Sequence, residues 1–80
     1  MRERALIRFS LPAAGHARLD VFGVDGRLVR SLLDRVLPAG LAQAVWDGRD
    51  ASGDPVSTGV YVFSLQSSTG SAARKMVVIK

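Results

Sequence analysis

The residues best suited to chemistry are three aspartates, Asp47, Asp50 and Asp54, close together in one glycine-rich stretch. Clustered carboxylates suit calcium, a hard cation that takes oxygen ligands. Turn capping accounts for the same three residues, because aspartate side chains accept backbone N–H bonds in loops. An EF-hand loop would place oxygen ligands at alternate positions and close on a bidentate glutamate. Here Arg49 intrudes and no glutamate follows. Other chemistries lack their reagents. The chain has no cysteine, which removes a disulfide scaffold, a thiolate metal site and a cysteine nucleophile together. Its single histidine, His16, lies next to Gly15 in what reads as a turn. A lone histidine speaks against a histidine-based zinc site and against a Ser/His/Asp relay. The expectation is a non-enzyme without cofactor or metal, with Asp47, Asp50 and Asp54 as the calcium candidates.

Binding by aromatic or basic groups is the next option. Trp46, Tyr61 and Phe63 could form a platform for carbohydrate or peptide, but Trp46 alternates in phase with Ala42 and Ala44, which reads as a core anchor against small neighbours. The 11 basic and 7 acidic residues give a net charge of +4. The cations are scattered and never run beyond a pair, unlike the clustered face that nucleic acid requires. No nucleic-acid partner is expected.

With 80 residues, 48% of them hydrophobic and 22% charged, the chain has the makeup of one globular domain over residues 1–80. No stretch approaches the roughly 20 apolar residues of a membrane span. The opening MRERALIRFSLP is a poor signal peptide, since Arg8 interrupts its apolar run and Pro12 soon follows. The chain then reads either as cytoplasmic or, the favoured reading, as one domain of a longer exported protein with Met1 not its native start.

The punctuation along the chain is that of an all-β protein. Arg4–Phe9 alternates Ala5, Ile7 and Phe9 against Arg4 and Arg8. Ala17–Gly23 alternates Ala17, Leu19 and Val21 against Arg18 and Asp20. Asp25-Gly26 then predicts a type I′ hairpin turn, which needs residues tolerant of positive φ. Arg27–Leu33 returns as a strand, although Leu28, Val29, Leu32, Leu33 and Val36 also fit helical spacing. Leu41–Trp46, Val60–Gln66 and Ala73–Ile79 complete six strands, with a short seventh near Pro55–Ser57. The connections are too short for parallel crossovers. The fold class is a small antiparallel β-sandwich of six to seven strands, and it resembles the immunoglobulin-like kind. Gly48, Gly53 and Gly59 mark places needing positive φ or close approach, and Tyr61 stands where a tyrosine corner would bond back to upstream backbone.

Several motifs in order carry a family resemblance. They are Leu6-Ile7-Arg8-Phe9-Ser10-Leu11-Pro12, Val21 through Arg30 with its Asp25-Gly26, and Leu37-Pro38-Ala39-Gly40. Trp46-Asp47-Gly48-Arg49-Asp50, Gly59-Val60-Tyr61 and Arg74-Lys75-Met76-Val77-Val78 follow. Together they resemble the immunoglobulin-like domain of flagellar hook-capping proteins, a module also found at the C-terminus of exported bacterial proteins. The C-terminal sorting domains of type IX secretion are related, but this chain has Ser10-Leu11-Pro12 in place of their Pro-Asn-Pro opening and keeps the Trp-Asp-Gly loop. The resemblance implies a non-catalytic sandwich and supplies no catalytic residue.

Apolar residues on both faces of several strands point to partners. Leu41 and Val45 oppose Ala42, Ala44 and Trp46; Val60 and Val62 oppose Tyr61 and Phe63; Val77 and Ile79 oppose Met76 and Val78. One face of each strand must point away from the core. Leu41, Val45, Val60, Val62, Val77 and Ile79 are therefore the interaction candidates. The expected function is a C-terminal module of an exported protein, extracellular or at the cell surface, that serves capping, attachment or sorting through contacts with other domains of its parent, with copies of itself or with a secretion component. A self-assembling subunit joined at strand edges is the alternative, and a calcium- or glycan-binding module the further one.

Overall fold

The computed structural model describes residues 4–79. Six strands follow one another without a helix between them: β1 (Ala5–Leu11), β2 (Gly15–Gly23), β3 (Leu28–Leu37), β4 (Gly40–Trp46), β5 (Gly59–Ser67) and β6 (Gly70–Val78). They form two antiparallel sheets, a two-stranded β1-β4 and a four-stranded β3-β2-β5-β6. The all-β reading and the antiparallel sandwich both hold.

Alternation decides which side of each strand is inside. Ala17, Leu19 and Val21 of β2 are buried and stand opposite Ser67, Leu65 and Phe63 of β5. Residues directly opposite in an antiparallel pair share a face, so Leu19, Val21 and Phe63 line one wall of the core, joined by Val78 of β6. Trp46 at the end of β4 supplies the other wall, with Ala5, Ile7, Phe9 and Ala44 packed beside it. Trp46 is 1% exposed and among the largest fully buried side chains. Its ring meets Tyr61 edge-on at 5.4 Å and Phe63 at 6.0 Å, with interplanar angles of 64° and 90°. These are the edge-to-face geometries that aromatic quadrupoles favour. The indole is a core anchor and not part of an open platform.

Some local expectations need correction. The segment from Arg27 is a strand and runs on to Leu37. Its helix-like spacing arises because β3 carries extra residues where its register with β2 shifts, between Leu19 and Asp20 and between Val21 and Phe22. These bulges let Val29, Leu32 and Leu33 all pack against the core. The β2–β3 turn is not type I′, since Asp25 does not have positive φ and, within the turn, only Gly26 does, at 87°. Instead Gly26 donates its N–H to Gly23 O at 3.0 Å and Gly23 donates to Arg27 O at 2.8 Å. That is a three-residue loop ending in a left-handed glycine. No seventh strand forms among the described residues; Arg49 and Pro55 make an isolated bridge. His16 is not in a turn but in β2, where it stands opposite Val36 and bonds Asp34. Gly59 is ordinary extended backbone, whereas Gly48 and Gly53 have φ of 76° and 88°.

The two layers differ in width. The strands β1 and β4 cannot cover all four strands beneath them, and Ala72 and Arg74, on the core side of β6, are exposed.

Candidate functional site

The loop from Trp46 to Tyr61 is held by its own polar groups. The indole Nε1–H of Trp46 donates to Arg49 O at 2.9 Å. Asp47 Oδ1 accepts from the Arg49 amide at 3.1 Å and from the Arg30 guanidinium of β3 at 2.8 Å. Asp50 Oδ1 accepts from the amides of Ser52 and Asp54 at 2.9 and 3.0 Å. Arg49, the residue that interrupts the EF-hand pattern, donates to Gly53 O at 2.7 Å. One backbone bond anchors the loop to the sandwich, Ala51 N–H to Val29 O at 3.0 Å, and another closes the loop on itself, Val56 N–H to Gly48 O at 2.9 Å. The acidic residues thus act separately, Asp47 as an ion-pair partner and Asp50 as a turn cap. Among the described residues no three His, Cys, Asp or Glu side chains are grouped to hold a metal ion.

Tyr61 closes the loop. Its phenol donates to Ser57 O at 2.7 Å, the upstream bond expected of a tyrosine corner. Replacing Tyr61 by Phe removes this bond while leaving the ring against Trp46. The expected loss is about 0.5–1.5 kcal/mol in urea unfolding; an unchanged midpoint would show that the corner adds nothing.

The six apolar interaction candidates fall on two faces. Val60 stands directly opposite Val77, and Phe22 stands opposite both Val62 and Leu28. These residues form an apolar band across β3, β2, β5 and β6, on the side away from Trp46. Val77 is 61% exposed, and Ile79, just past β6, is 68% exposed; Val62 is half-buried. Leu41 and Val45 lie elsewhere, on the outer side of β1-β4. Leu6, directly opposite Val45, belongs with them and was not among the candidates. Its signal was available in the sequence, since Leu6 sits between Arg4 and Arg8 in the phase opposite to Ala5 and Ile7.

Beyond the band, the outer side of the four-stranded sheet turns polar: Arg18 opposite Gln66, Asp20 opposite Ser64, and His16 bonded to Asp34. At the band's own end an open groove of about 700 Å³ runs between the Gly23–Val29 hairpin and residues 55–61. Its lining includes Asp25, Arg27, Asp50, Ser52 and Tyr61.

A family model described as FlgD Ig-like domain matches residues 3–71. The chain belongs to that family. Among solved structures, FlgD from P. aeruginosa superposes with a TM-score of 0.74 at 24% identity, covering 94% of this chain and 59% of that one. FlgD from Xanthomonas campestris, described through its hook capping essential for flagellar assembly, gives 0.71 at 25% identity, covering 92% and 54%. No curated protein sequence matches. This FlgD Ig-like domain spans little more than half the length of these two FlgD structures. The family match covers the Trp46–Tyr61 loop, the Val60 and Val62 side of the outer band and the whole of β1-β4, but stops before Val77.

Proposed function

We propose that this FlgD Ig-like domain is a non-catalytic structural module, one immunoglobulin-like unit over residues 1–80, of an exported bacterial protein. It works outside the cell or at its surface, capping or attaching its parent through protein–protein contacts. The observation that carries this reading is the apolar band of Leu28, Phe22, Val62, Val60 and Val77 on the side of the sheet facing away from the core. Packing of the sandwich does not require that band, so a neighbouring domain or protein is its natural cover. The hook-capping function of the X. campestris relative is in keeping with a scaffold that acts by contact. Placement at the C-terminus of the parent, and a part in sorting, belong to the same reading.

Tagging the chain within its own gene and fractionating the cells tests this. The tag is expected with the cell surface or the medium, and retention in the cytosol refutes the proposal. The double variant V60S/V77S alters two exposed positions. Each is expected to change stability by no more than about 0.5 kcal/mol, yet together they should release the tagged protein from the surface. A variant that stays attached would move the contact elsewhere.

A further inference from the structure

The four strands that end a sheet are protected very unequally. Exposed strand edges invite pairing with another chain, and proteins blunt them with charges, proline, bulges or covering loops. The β3 edge carries Arg30, Asp34 and Arg35 and has two register shifts. The β6 edge carries Arg74 and Lys75. The β1 edge carries Arg8 and runs into Pro12. The β4 strand, Gly40-Leu41-Ala42-Gln43-Ala44-Val45-Trp46, has no charge and no proline. It pairs with β1 in unbroken register over its whole length. Among the described residues, none of the backbone bonds made outside the ladders reaches residues 40–46. Leu41 is 91% exposed and Val45 is 50% exposed, so the outer face beside this edge is open as well.

The order of side chains along β4 says what fits the edge. About Gln43 the strand is symmetric in size: alanine on either side, then a branched aliphatic residue beyond each alanine. An antiparallel partner must keep each face opposite the same face, so a two-fold axis has to pass through a residue and not between two. With the axis at Gln43, Leu41 faces Val45 of the second copy, Ala42 faces Ala44, and the Gln43 amides face each other. All seven residues pair, no like charges meet, and on the core side Ala42 opposes Ala44 while Gly40 opposes Trp46. This is the self-complementarity of an isologous contact.

We infer that the β4 edge is a homodimerisation site, in which two copies join β4 to β4 antiparallel about Gln43. The inference goes beyond the attachment reading and does not depend on it. The Val60–Val77 band is on the other sheet, so a strictly monomeric chain would leave that reading standing.

The absence of cysteine makes the register testable. Cα atoms directly opposite in an antiparallel pair are about 4.5–5.5 Å apart, inside the range of about 4.4–6.8 Å that a disulfide spans. Q43C is expected to give a covalent dimer under mild oxidation, faster than S71C on the β6 edge. In sedimentation equilibrium the native chain should dimerise with rising concentration. Q43K, which sets two lysines opposite each other, should remain monomeric, with its Trp46 fluorescence unchanged to show that it is folded. A native chain that stays monomeric at all concentrations overturns the inference. So does a dimer that survives Q43K but is lost in A73K on β6, or a Q43C chain that cross-links no faster than S71C.

Discussion

Truncating Trp46 to alanine is expected to cost about 3–5 kcal/mol, the range for removing a large buried aromatic side chain. Three terms act together at this position. The side chain is 1% exposed, so nearly all of its apolar surface returns to a void instead of a packed contact. The edge-to-face contacts with Tyr61 and Phe63 lose their partner. The hydrogen bond to Arg49 O disappears as well, freeing the loop that follows. An 80-residue chain has a total stability of roughly 4–12 kcal/mol, so this one change removes a large share of it. Urea unfolding followed by far-ultraviolet circular dichroism reads the loss directly. Trp46→Phe separates the contributions: it keeps much of the ring but not the N–H donor, and should fall between native and alanine. A native-like midpoint for Trp46→Ala would mean that the two sheets do not meet through this side chain.

Trp46 was legible because its signal is short-range. Alternation with Ala42 and Ala44 sets its face, and a small sandwich has few other places for an indole. The same holds for the phenol of Tyr61, whose place at the entry to β5 predicts a bond to upstream backbone, although Ser57 as its acceptor comes only from the fold. Elements that depend on register were harder. The bulges of β3 put Val29, Leu32 and Leu33 toward one side, and a bulge imitates helical periodicity when only the sequence is in view. Asp25-Gly26 announced a hairpin correctly but not its class, because the extra residue in the loop is set by how β2 and β3 pair farther down. His16 reads as a turn residue beside Gly15, yet Gly15 already starts β2 opposite Leu37.

Side-chain partners across the fold were the least legible of all. Arg30 and Asp47 meet only because β3 and the end of β4 come together, and no local pattern links positions so far apart in the chain. The apolar outer residues were marked individually, whereas their division between two opposite faces followed from the pairing. Leu6 shows the same limit in reverse. Its phase between Arg4 and Arg8 turns it outward, but only the strand pairing sets it beside Val45.

Arg18 and Asp20 carry the second large expected effect, and its sign depends on which partner is removed. Asp20 lies on the outer side of the central strand β2, yet its side chain is only 7% exposed. Its Oδ2 accepts from Arg18 Nε at 2.8 Å, while Oδ1 is buried with no hydrogen-bond partner. A buried carboxylate with a single charged donor is costly to strand. Arg18→Met, which keeps the aliphatic cover, is expected to lose about 1–3 kcal/mol. Fully buried pairs lose more, but the Arg18 side chain is 43% exposed, and solvent already weakens the ion pair. Asp20→Thr should behave differently. It removes the charge and the orphan oxygen together and places a β-branched residue on a pleated surface that favours one. The double variant R18M/D20T is therefore expected to be at least as stable as the native chain, and R18M made in the D20T background should cost no more than about 0.5 kcal/mol. Urea midpoints for the four chains close this cycle. An equal penalty for R18M in both backgrounds would mean that the arginine stabilises β2 by packing alone, and that the carboxylate beneath it is satisfied by some other group.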